Sequence, residues 1–204
     1  MANTIPVNYE LQFEPLFHNF TFKGMEIITI SLSKATDSII LDAAELKIEK
    51  CHVEQGTKII TANASLNEKN ERLTIKLSKK IKGKAKLCIR FTGVLNDRLL
   101  GFYKSQYKDN EGKTKYLATT QFEAADARRA FPCWDEPAVK ATFDVSLLVD
   151  KHHDAISNMS IISKKTVNSK SLYKFGRTPI MSTYLLYLGV GEFEYLHGRL
   201  RNIK

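Results

Sequence analysis

Apolar and polar residues alternate one for one along most of this chain, and that period restricts its fold more than any other feature. Successive side chains of a β-strand point to opposite faces, so sustained alternation marks strands with one buried face. In "VNYELQFE" the apolar set is Val7, Tyr9, Leu11 and Phe13, and the polar set is Asn8, Glu10, Gln12 and Glu14. In "FTFKGMEIITISL" Phe20, Phe22, Ile28, Ile30 and Leu32 share one face. "SIILDA" reads as a short buried run, and "LKIEKCHVE", "RLTIKL" and "KAKLCIRFTG" alternate again. "KYLATTQF", "ATFDVSLLVD", "LYKF" and "STYLLYLGVGEFEYL" continue the pattern. "LDAAELKIE" resembles a short helix, but β-branched residues and the alternation after it favour strand. No amphipathic pattern of helical length occurs.

Turn signals separate the runs: "FKG", "NEKNE", "KIKGK", "KDNEGK", "DKHHD" and "GRTP". Many strands at short spacing predict a mostly β fold, a saddle-like antiparallel sheet or sandwich assembly with very little helix. The 204 residues, 43% of them hydrophobic, are enough for a substantial core. The charged fraction of 26% is ordinary for a folded protein.

The formal net charge is +9, concentrated in "SKKIKGKAKL" at Lys79, Lys80, Lys82, Lys84 and Lys86. No aromatic residue interleaves these lysines, so a solvated hairpin is expected and a nucleic-acid surface is not. Cys51, Cys88 and Cys133 are odd in number and lack C-x-x-C spacing, which points to free buried thiols in a reducing cytoplasm. "MANTIPVNYELQF" lacks the charged-then-apolar order of a signal peptide. "YLLYLGV" is far shorter than the roughly 20 residues that span a bilayer. There is no H-E-x-x-H or H-x-H, and "GVGE" has the wrong glycine spacing for a nucleotide loop.

One stretch departs from this plain pattern. "TTQFEAADARRAFPCWDEPAVKATFDVSL" crowds Gln, acids, two Arg, a Cys and the single Trp together. At a strand end, period two puts Gln121 and Glu123 on one face and Phe122 on the other. Such a pair can accept charge-assisted hydrogen bonds from an ammonium group, or it can be a polar strand end facing water. "AADARRAF" suits one or two helical turns, with Asp126 at their start. Arg128 and Arg129 can pair with Asp126, Asp135 or Glu136 as a structural network. Cys133 has no histidine near it in the sequence and fits a buried small residue better than a nucleophile.

These residues carry a resemblance. "GFYKSQY", "KYLATTQFEAADARRAFPCWDEPAVKATFDVSL", "AISNM" and "MSTYLLYLGVGEFEYL" together resemble the N-terminal domain of zinc aminopeptidases related to aminopeptidase N and puromycin-sensitive aminopeptidase. The look is nearest the archaeal tricorn-protease-interacting factors. The resemblance implies a β-saddle over residues 1–196, then the start of a linker over 197–204 leading to a thermolysin-like catalytic domain. It implies a zinc ion held by H-E-x-x-H and a further Glu, none of them in this chain. This chain alone is therefore expected to be inactive, with no catalytic or metal-binding residue of its own. Its implied contribution is substrate binding: Glu123 at the free α-amino group and Gln121 in the first side-chain pocket. The implied partners are peptide substrates, its own catalytic domain and a large cytosolic protease. Neither nucleic acid nor membrane is implied. A freestanding β-sandwich interaction module is the alternative reading, and a basic nucleic-acid-binding protein a third.

Overall fold

A computed structural model describes residues 3–196, so the expected linker at 197–204 lies outside the described residues. Thirteen strands carry the fold of the described residues. They are β1 (Thr4–Leu16), β2 (Thr21–Asp42), β3 (Lys47–Gln55), β4 (Lys58–Asn67), β5 (Arg72–Val94), β6 (Gly101–Lys108) and β7 (Thr114–Gln121). After them come β8 (Lys140–Asp150), β9 (Asp154–Ser157), β10 (Ile161–Val167), β11 (Lys170–Phe175), β12 (Met181–Ser182) and β13 (Leu188–Gly191). The only helical turns among the described residues are two short 3₁₀ turns, Ala127–Arg129 and Thr183–Leu185. The mostly β expectation holds.

The large sheet runs β10-β11-β8-β1-β2-β5-β3-β4, with β12 added to β8. The small sheet runs β6-β7-β13-β9. Among the described residues the strands pair antiparallel except β1 and β8, which lie parallel, with Tyr9 opposite Phe143 and Phe13 opposite Leu147. Alternation reads which face of a strand is buried, and it carries no information on direction, so this parallel seam was not foreseen.

The two sheets meet through aromatic rings. Phe13 of β1 and Phe22 of β2 contact Phe102 of β6, with ring centroids 5.8 and 5.3 Å apart. Phe131, beyond β7, packs edge-on against Tyr9, Phe13 and Phe122. Offset and edge-to-face aromatic pairs gain roughly 0.5–1.5 kcal/mol each beyond their buried area, so this seam joins the small sheet firmly to the large one.

Several local expectations are corrected. Val7 is 46% exposed while Asn8 is buried. A register shift between Pro6 and Asn8 reverses the faces there, and Asn8 then satisfies its amide through Asp144 and Thr142. Ile40 of the run expected to be buried points to solvent. "FKG" is no turn, because Gly24 lies inside β2. A Cβ there would sit 2.1 Å from Cε2 of Phe91, so the glycine makes room for a ring. "KIKGK" is not a hairpin either: Gly83, at φ +85°, lies inside the continuous β5 where its register with β2 begins to shift. "STYLLYLGVGEFEYL" breaks into a 3₁₀ turn and the short β13. All three thiols are free, but only Cys133 is buried; Cys51 and Cys88 are half-buried.

Candidate functional site

The small sheet ends where β7 runs out. Gln121 pairs with Gly101 at the last rung of the β6–β7 ladder. Phe122 then turns into the core, 2% exposed, while Gln121 and Glu123 are both exposed. Period two thus separates the three side chains as the sequence predicts. Among the described residues, neither Gln121 nor Glu123 makes a side-chain hydrogen bond or ion pair. Their acceptors and donors are free for something else.

The chain after Glu123 is tightly bound. The Glu123–Ala124 peptide is cis. The Asp126 N–H donates to the Phe122 carbonyl at 2.9 Å, closing a turn, and the Ala127–Arg129 3₁₀ turn follows. Only that single turn forms, and the Asp126 side chain bonds the Arg129 Nε at 2.9 Å instead of capping the turn. Arg128 donates from its backbone N–H and its Nε to the Asp135 carboxylate, at 3.2 and 3.1 Å. Its Nη1 reaches Glu71 at 3.1 Å. Arg129 spreads over Glu45 at 2.7 Å and Glu71 at 2.8 Å. Glu136, offered by the sequence as a partner, is exposed and takes no part. Glu45 and Glu71 were not legible as partners, because they come from loops more than fifty residues upstream. Both have positive φ, at 57° and 52°, which turns those loops towards the arginines.

Asp135 and Asp42 form the floor of this network. Asp135 is 3% exposed and Asp42 1%. The Asp135 N–H donates to Asp42 Oδ2 at 2.9 Å, and the Thr183 hydroxyl donates to Asp135 Oδ1 at 2.9 Å. A two-way backbone bridge ties Asp42 to Cys133, at 2.7 and 3.0 Å. The Trp134 N–H donates to the Tyr9 hydroxyl at 3.3 Å. Buried carboxylates persist only when paired and hydrogen-bonded in this way. Burial raises the Cys133 thiol well above its ordinary pKa, with nearby Asp135 adding to the effect. Too little thiolate exists for Cys133 to act as a nucleophile.

Beside the free edge lies a strip that the sequence did not single out. Tyr103 of β6 pairs with Thr119 of β7, and the Thr119 hydroxyl donates to the Tyr187 hydroxyl at 3.1 Å. Tyr187, Leu185 and Ile180 remain exposed, the last by 71%. Tyr187 comes beside Thr119 because β13 pairs with β7 across about seventy residues.

The edge does not suit a metal ion. The described His, Cys and acidic groups close enough to share one are His52–Glu54–Cys88 and His152–His153–Glu192. Neither set includes Gln121 or Glu123, so zinc chemistry has no ligands at this edge. No helix among the described residues is long and apolar enough to cross a membrane.

Residues 5–185 match the family model of the peptidase M1 N-terminal domain. The chain is 41% identical to "Aminopeptidase 2" of Candida albicans over 200 residues, covering 96% of this chain and 21% of that protein. It is 39% identical to the puromycin-sensitive aminopeptidase of Caenorhabditis elegans, covering 97% of this chain and 21% of that one. Aminopeptidase M1 of Arabidopsis thaliana is 39% identical, with 94% and 22% covered. The chain thus spans about a fifth of the length of the curated relatives it matches.

Proposed function

The chain belongs to the peptidase M1 N-terminal domain family, and from that premise we propose that its free strand end binds the amino terminus of a peptide in an aminopeptidase. Glu123 accepts hydrogen bonds from the substrate's α-ammonium group. Gln121, one step back on the same face, lines the pocket of the first side chain. The observation that carries this reading is the contrast at the end of β7: every ionic side chain of the following loop from Asp126 to Asp135 is paired within the chain, while Gln121 and Glu123 keep their hydrogen-bonding capacity unused.

The chemistry suits an exopeptidase. A free N-terminus carries a charge and three donors, whereas an internal amide is uncharged and offers one. A carboxylate enclosed by a second domain would be left unsatisfied by the amide and well satisfied by the ammonium, which gives strong discrimination. Enclosure by the protein's own catalytic domain supplies that condition, and the exposed Leu185 and Tyr187 give it apolar side chains to cover. Zinc, held in the catalytic domain, supplies the activated water when bound. The residues described here bind and orient the substrate; they take no part in that step. The protein works in the cytoplasm on peptides.

Kinetics of the full-length protein test the proposal. Glu123→Ala is expected to reduce kcat/KM on free-amine substrates by about 30-fold, equivalent to roughly 2 kcal/mol for a lost charged hydrogen bond. Gln121→Ala should instead change the preference among first side chains. Unchanged kinetics in both variants would remove the assignment.

A further inference from the structure

The outer face of the large sheet, turned away from the aromatic seam, holds three metal-ligating side chains that the amino-terminus reading does not use. His52 and Glu54 lie two residues apart on β3, so both point outward while Val53 between them is fully buried. Cys88 of β5 sits directly opposite His52 in the β3–β5 ladder. The imidazole, carboxylate and thiol donor atoms all lie within 4.8 Å of one another. They border a shallow cavity of about 180 Å³, closed on its other side by Met25 and Ile27.

We propose that His52, Glu54 and Cys88 form a binding site for a divalent transition-metal ion of the zinc class. The donor set is one nitrogen, one sulfur and one oxygen, a borderline-soft combination that selects Zn²⁺ and its neighbours over Ca²⁺ or Mg²⁺. The His52 Nε2 to Glu54 Oε1 distance is 3.3 Å. Two ligands at about 2.1 Å from a tetrahedral zinc lie roughly 3.4 Å apart, so this edge of the tetrahedron is already built. Cross-strand pairing fixes the third corner, and the cavity leaves the fourth position to water or an exogenous ligand.

The other candidate set, His152, His153 and Glu192, is weaker, because Lys115 already occupies both Glu192 oxygens at 2.8 and 3.0 Å. Glu54 has no such competitor among the described residues; its side-chain partner is His52 itself.

Binding is coupled to a proton. Burial first, then Glu54 and Glu10, hold the Cys88 thiol up at about 11, with Lys86 acting in the opposite direction. Lys50 and Arg90 also border the cavity and His52 faces it. A cysteine thiol is protonated at neutral pH before an ion arrives. The metal–sulfur bond forms as the S–H bond breaks, and one proton passes to solvent for each ion bound.

Cobalt is the probe, because a thiolate bound to Co²⁺ gives a sulfur-to-metal charge-transfer absorption in the near ultraviolet. Co²⁺ is titrated into the reduced 204-residue chain, followed by Zn²⁺. The expected result is a saturable one-to-one charge-transfer band that Zn²⁺ abolishes, with proton release of about one per ion. Cys88→Ser should abolish the band, and His52→Ala should weaken Co²⁺ binding at least tenfold. Glu54→Gln should weaken it less. Cys51→Ser should leave the band unchanged, since Cys51 points to the other face of β3 and donates to the Ala62 carbonyl. Far-ultraviolet circular dichroism of each variant confirms that the strands persist. Three results would overturn the proposal: no sulfur band in the parent chain, a band that survives Cys88→Ser, or binding without sulfur character, which would place the ion at His152 and His153.

Discussion

The strand end at Gln121–Glu123 and the loop at Arg128–Asp135 are neighbours in sequence, yet they treat polar side chains in opposite ways. In the loop, Arg128 and Arg129 are bonded to Asp126, Asp135, Glu45 and Glu71. At the strand end, an amide and a carboxylate stand exposed without partners among the described residues. A fully paired network is scaffold, since its hydrogen-bonding capacity is consumed holding three loops together. An unpaired polar pair on a rigid strand end is available for a ligand, and the neighbouring network keeps it in position.

If this contrast is correct, substitutions should separate stability from binding. The largest loss of stability is expected from Asp135→Ala. It strips a buried acceptor from Arg128 and Thr183 and should cost about 3–5 kcal/mol, read as a lower urea midpoint. Gly101→Ala comes next. Gly101 is at φ +69°, and a Cβ there would lie 2.8 Å from the Arg129 Cβ. Strain of about 1–3 kcal/mol should appear in the same assay.

Glu26 sharpens the comparison, because it is the opposite of both regions: fully buried and without a hydrogen-bond partner among the described residues. Burial raises its pKa well above the usual carboxylate value. A carboxyl raised in the folded state contributes full stability below its unfolded pKa, near 4.5, and that contribution is lost as pH rises towards the folded value. Glu26→Met should therefore stabilise the chain by about 1 kcal/mol or more near pH 8, with the gain shrinking towards pH 4. Urea denaturation at the two pH values measures the difference. An equal gain at both would show that the folded core does not hold the proton.

The smallest effect on folding belongs to the strand end. Gln121→Ala and Glu123→Ala should each move stability by no more than about 0.5 kcal/mol, as exposed side chains without partners do. A larger loss in either would mean that the pair belongs to the scaffold after all.

Much of this was legible in the sequence, and the parts that were not share a cause. Alternation predicted the β fold and most of the buried faces of β1 and β2, and it separated Gln121 and Glu123 from Phe122. It failed where one residue shifts the register, as at Val7, and where glycine lies inside a strand instead of at a turn, as at Gly24 and Gly83. The Arg128 and Arg129 partners within the same stretch, Asp126 and Asp135, could be read from proximity. Glu45, Glu71 and Asp42 could not, because their approach depends on the pairing of β2 with β5. Pairing of β3 with β5 likewise sets Cys88 against His52, and pairing of β13 with β7 brings Tyr187 beside Thr119. Period reads faces; it does not read which strand lies next to which.

In the proposal made above, Glu123 binds substrate and Arg128 holds the fold. The most direct measurement compares Glu123→Ala and Arg128→Ala in the full-length protein, taking kcat/KM on a free-amine substrate and the urea midpoint from the same preparations. Glu123→Ala is expected to lower kcat/KM about 30-fold with an unmoved midpoint, and Arg128→Ala to lower the midpoint. A Glu123 variant that loses stability, or that keeps its full kcat/KM, would contradict it.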